Sequence, residues 1–98
     1  MNRRKRKADL ELLAKELLLN EEQQEGLLKQ ALNITTIRRS QGWQADVMLP
    51  KAMVVIKSKA GKYGITVVAN TKLKGSYFFT NRERAVAKLM EITNYATM

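Results

Sequence analysis

A chain of 98 residues, 45% of them apolar, has room for one domain around one modest core. It contains no cysteine and no histidine. That excludes disulfides, thiol nucleophiles, His-based catalytic pairs and the common zinc sites, so no enzyme activity, cofactor or metal is expected. The net charge of +9 is the main functional signal. No apolar run approaches the ~20 residues that span a bilayer, and a cytoplasmic location is expected.

The charge is uneven. Arg3, Arg4, Lys5, Arg6 and Lys7 carry +5, residues 8–32 a net −4, and residues 33–98 a net +8. Residues 1–7 hold nothing to pack and read as a flexible basic arm ahead of a single domain at 8–98. From Ala8 the pattern is helical: Leu10, Leu13 and Leu17 fall at i, i+3, i+7, and Leu12, Leu18 and Leu19 widen that stripe. Asn20 followed by Glu21 and Glu22 predicts a second helix start, with one continuous helix over 8–32 as the alternative. Leu27, Leu28, Ala31 and Leu32 form its apolar face, and Gly26 inside it is expected to admit a close neighbour. A helix-turn-helix reading of 9–32 is set aside, because Glu21, Glu22 and Glu25 would repel phosphate where contacts are needed.

Strand signals follow. Ile34–Arg39 is rich in β-branched residues, Ser40-Gln41-Gly42 reads as a turn, and Trp43–Leu49 returns as a strand before Pro50. Ala52–Ile56 and Ile65–Ala69 flank a hairpin turn at Lys59-Ala60-Gly61-Lys62. A second turn covers Asn70–Ser76, and Tyr77-Phe78-Phe79 is a short strand. Thr80 stands three residues before Glu83, a capping-box spacing that predicts a final helix ending near Asn94. Its face carries Ala85, Val86, Leu89, Met90 and Ile92. The fold class is therefore α+β: one or two N-terminal helices, an antiparallel sheet of three to five strands and a C-terminal amphipathic helix. The expected core includes Leu13, Leu17, Leu28, Val54, Ile56, Ile65, Val67, Phe78, Val86 and Leu89.

The candidate nucleic-acid contacts are the basic residues. They comprise the five of the arm, Arg38 and Arg39 closing the first strand, and Lys57, Lys59 and Lys62 at the first hairpin. Lys72 and Lys74 at the second turn and Arg82 and Arg84 opening the last helix complete them. Alternate turns of an antiparallel sheet lie at opposite ends, so the two lysine groups need not form one patch. Trp43, Tyr63, Tyr77, Phe78 and Phe79 are candidates for stacking on bases, but Phe78 and at least one neighbour are expected in the core.

From about Met53 to Ile92 the order is strand, basic Gly turn, strand, Gly turn, aromatic strand, capped helix. Gly61-Lys62-Tyr63, Lys74-Gly75-Ser76-Tyr77-Phe78 and Thr80-Asn81-Arg82-Glu83-Arg84-Ala85 resemble the AP2-like and phage-integrase arm-binding domains. The resemblance implies a three-stranded sheet that rests on one helix and enters the DNA major groove. That family exposes Arg, Lys and Trp on its sheet. Here Met53–Ile56 and Ile65–Val68 are apolar at nearly every position, and such strands call for cover on both faces. The N-terminal helices are expected to supply it on the face the family gives to DNA.

The expected function is a small basic nucleic-acid-binding accessory protein, DNA before RNA, of the kind frequent in phages and mobile elements. The alternative is a phage-type inhibitor that binds and blocks a host enzyme or CRISPR effector, its cations contacting acidic side chains of the target or nucleic acid held by it. A homodimer through the Leu-rich N-terminal helix is a further expected partner, and no membrane partner is expected.

Overall fold

The structure, a computed structural model, describes residues 3–39, 42–68 and 74–95; for 3–6, 37–39 and 95 it describes the backbone alone. Helices α1 (Arg3–Leu17) and α2 (Glu21–Gln30) precede five strands, β1 (Asn33–Arg39), β2 (Gly42–Leu49), β3 (Ala52–Lys59), β4 (Lys62–Val68) and β5 (Gly75–Phe79), and α3 (Arg82–Tyr95) closes the chain. Among the described residues no helix is long and apolar enough to cross a membrane. The backbone of Arg3–Lys7 is helical and continuous with α1, where the sequence suggested an arm ending at Lys7.

Two helices, rather than one, arise from the chemistry of residues 18–23. At the end of α1, Leu18 adopts a left-handed conformation (φ 50°). Its N–H donates to the Lys15 carbonyl and that of Leu19 to the Ala14 carbonyl, at 3.4 and 3.0 Å. This is a Schellman closure, which turns the chain and satisfies terminal carbonyls. Asn20 then starts α2 with a reciprocal capping box: its Oδ1 accepts from the Gln23 N–H (2.8 Å), and Gln23 Oε1 accepts from the Asn20 N–H (2.9 Å). Helix α3 is capped by Asn81, whose Oδ1 accepts from the Arg84 N–H at 3.1 Å. The cap thus falls one residue after the expected Thr80, since the Asn81 amide oxygen reaches the third helical N–H.

The strands form one antiparallel sheet in sequence order, β1-β2-β3-β4-β5. Tight connections set the register. Leu49 pairs with Ala52 across Pro50-Lys51, and Lys59 pairs with Lys62 across Ala60-Gly61. Ala60 and Gly61 both have positive φ (52° and 77°), the twist that suits a two-residue hairpin. Arg39 pairs with Gly42; the expected Ser40-Gln41 turn lies outside the described residues, as does most of the second turn. A Cβ on Gly42 would overlap the Ser58 carbonyl oxygen, so this position needs glycine.

Alternation along each strand sends Ile34, Ala45, Val47, Leu49, Ala52, Val54, Ile56, Ile65 and Val67 to one face, where all are buried. The helices supply Leu10, Leu13, Leu17, Leu19, Leu27, Ala31, Ala85, Val86, Leu89 and Ile92 to the same core. Helix α1 lies on β1, α3 on β4 and β5, and α2 packs against α1 and α3. Thr36 Oγ1, on the covered face, donates to the Asp9 carbonyl at 3.3 Å and ties α1 to β1. The one buried hydroxyl among the described residues, that of Thr93, donates to the Leu89 carbonyl one helical turn back (2.8 Å).

Four expectations are corrected by this packing. All three helices cover one face, so among the described residues the second face of the sheet has no helix upon it. Phe78 is not core but 81% exposed, and Leu28 is only half-buried. Gly26 faces open space, with nothing within 4 Å of where a Cβ would sit. These corrections do not extend to α1, where Leu10, Leu13 and Leu17 are buried as their spacing predicts, while Leu12 is half-buried and Leu18 exposed.

Candidate nucleic-acid interface

The uncovered face follows from the same alternation that builds the core. With even-numbered residues of β3 turned to the helices, Met53, Val55, Lys57 and Lys59 face outward. Register then defines rows across the sheet. Asn33, Met48, Met53 and Val68 form one end row, and Thr35, Asp46, Val55, Thr66 and Ser76 the middle. Gln44, Lys57, Gly64 and Phe78 come next, and Gly42, Lys59 and Lys62 close the other end.

The rows differ in chemistry. The first is apolar, with Met48 and Val68 exposed. The middle row is rich in hydroxyls: Thr66 and Ser76 hydrogen-bond across β4 and β5 at 3.1 Å. Asp46, the single acid of this face among the described residues, accepts from Gln44 Nε2 at 3.4 Å. The last two rows are cationic and aromatic. Lys57, Lys59 and Lys62 are exposed there, as is Phe78. Phe78 stands directly opposite Gly64, and its ring carbons lie 3.5 and 3.6 Å from where a Gly64 Cβ would be. A methyl there would make ordinary van der Waals contact with the ring, so Phe78 packs beside the Gly64 position. An open hollow at this end is bordered by Lys57, Lys59, Lys62, Phe78, Asn81 and Arg84.

The meander explains which cations meet. The β1–β2 and β3–β4 connections and the β5–α3 junction share one end of the sheet. Lys57, Lys59, Lys62, Arg82 and Arg84 belong to that end, Arg84 exposed and Arg82 half-buried. Arg38 and Arg39 stand in register with Trp43 and Gly42 at the same end, by backbone position. Glu83, in the first turn of α3, is the acid nearest in sequence to this group. Lys74 is exposed at the opposite end, beside the β4–β5 connection, and Lys72 lies outside the described residues. Of the N-terminal five, Lys7 is exposed on α1, two residues before the Asp9 carbonyl that touches Thr36. The structure thus gathers the first hairpin and the α3 start, and separates them from Lys74.

The remaining aromatics serve the fold: Trp43, Tyr63, Tyr77 and Phe79 pack against the core. Lys88 of α3 lies over the Tyr77 ring at 4.3 Å and pairs with Glu91 at 3.5 Å, on the covered side. Phe78 is the functional candidate that the sequence reading misplaced. The signal was present, since three consecutive aromatics in a strand cannot share a face and Tyr77 and Phe79 outvote Phe78. Comparison with protein-family models, with curated proteins and with solved structures gave no match, so the reading of this face rests on its own geometry.

Proposed function

We propose that the protein is a small nucleic-acid-binding accessory protein that meets phosphate at the hairpin end of its uncovered sheet face. The observation that carries this reading is the grouping of Lys57, Lys59 and Lys62 of the sheet with Arg84 of α3 around one hollow, beside a sheet face with a single acid among the described residues. Exposed ammonium groups on a rigid sheet release condensed counterions when they meet a polyanion, which makes affinity fall with salt. A regularly spaced polyphosphate suits a row of lysines at strand spacing better than scattered carboxylates do. DNA is the partner implied by the resemblance of residues 53–92, in which the sheet itself contacts nucleic acid.

The test is a salt titration of binding to a short DNA oligonucleotide. Replacing Lys57, Lys59 and Lys62 with Gln should weaken binding and flatten the dependence of log K on log salt by about 2 to 3. Replacing Lys29, Lys51 and Lys74, away from this end, should change it far less. Equal effects of the two triples would reduce the reading to bulk charge, and equal competition by poly-glutamate would point to an acidic protein surface instead.

A further inference from the structure

Phe78 is an exposed aromatic side chain of the sheet, 81% exposed. Two carbons on one edge of its ring lie 3.5 and 3.6 Å from the Cβ position of Gly64 on β4, and the rest of the ring meets solvent. Among the described residues its neighbours Tyr77 and Phe79 pack on the core, and Phe78 does not. Lys57 shares its row, two strands away, which is roughly 10 Å across the sheet. Lys62 lies one row further toward the hairpin. An exposed flat ring flanked by cations at about one side-chain length combines the two parts of a single-strand site, a stacking surface and a phosphate track.

We infer that Phe78 is a stacking platform for an unpaired base, which makes single-stranded nucleic acid the preferred ligand of this face. This rests on the reading above that the neighbouring lysines meet phosphate. In a duplex both faces of each base are already stacked, so the ring gains a partner only from a strand whose bases are free. The ring contributes no charge, so its part in binding is independent of salt, whereas that of the lysines is not. The expected ligand is a strand of a few nucleotides with one base on Phe78 and its adjoining phosphates toward Lys57 and Lys62. The preference among bases is weak, because every base offers a π-face.

The test uses the full chain and three fluorescently labelled ligands of equal length: a thymidine single strand, the same backbone without bases, and a duplex. The wild type is expected to bind the thymidine strand most tightly. Phe78→Ala should lose about 5- to 100-fold on that strand, with an unchanged salt slope and no loss on the baseless backbone. Phe78→Trp should restore binding. The ring is exposed, so circular dichroism of both variants should match the wild type. Unchanged affinity of Phe78→Ala for thymidine, an equal loss on the baseless backbone, or tighter binding of duplex would each overturn the stacking role. Failure of the phosphate reading looks different: all three ligands would be ignored at low salt, or bound equally by the Lys57, Lys59 and Lys62 triple variant.

Discussion

The two faces of this sheet are made from the same strands, residue by alternate residue, and differ in almost everything else. Ala45, Val47, Val54, Ile56, Ile65 and Val67 are each at most 1% exposed, whereas Met48, Val68 and Phe78 on the reverse are 42, 38 and 81% exposed. Both sets are apolar. The difference lies in the three helices, which all settle on one side. An apolar residue in a strand therefore reports a preference, and burial depends on whether another element arrives to satisfy it. The uncovered face is left to be shaped by cations and one aromatic ring, and there a partner has access.

The largest effects should come from the covered face. Ile56→Ala or Leu89→Ala should cost about 2–5 kcal/mol, as truncation leaves a cavity in a packed core. Val55→Ala, adjacent to Ile56 on the uncovered face, should cost about 1 kcal/mol or less. Urea unfolding of the three variants measures the contrast, and equal losses would mean that the second face is also covered in solution. Next in size, Asn20→Ala removes the reciprocal cap that starts α2 and should cost ~1 kcal/mol in the same assay. Gly26→Ala should act oppositely, raising stability by up to ~1 kcal/mol, because the added methyl meets nothing and the helix interior gains a better former. The smallest change belongs to the uncovered face itself. Phe78→Ala should lower stability by only ~0.2–1 kcal/mol, the value of one cross-strand contact with the Gly64 position. A loss on the core scale would place Phe78 within the packing of the fold.

Much of the architecture was legible in the residues. The i, i+3, i+7 leucines of α1, the Asn20 start, the Ala60-Gly61 hairpin and the final helix are local patterns with local causes, and each stands where its pattern predicts. Less legible was anything that depends on two elements meeting. The cap of α3 moved from Thr80 to Asn81, a choice between two adjacent residues that are both good caps. Gly26 had a helical context and no visible neighbour, and its surroundings could be known only from the packing of α2. Phe78 was misplaced because aromaticity was weighed ahead of alternation. As for the site, the cations were all visible, but whether they form one group was not.

Taken alone, the order of residues determined the elements, the absence of cysteine and histidine and the excess of positive charge, since each follows from composition or from contacts within a few positions. Tertiary structure alone decided which face of the sheet the helices cover, and hence that Lys57, Lys59, Lys62 and Phe78 look outward together. The physical reason is that β3 and β4 carry apolar residues on both sides. Alternation puts Lys57, Lys59, Lys62 and Thr66 on one side, yet Met53, Val55 and Val68 there still call for cover, and only the placement of α1, α2 and α3 leaves that side open.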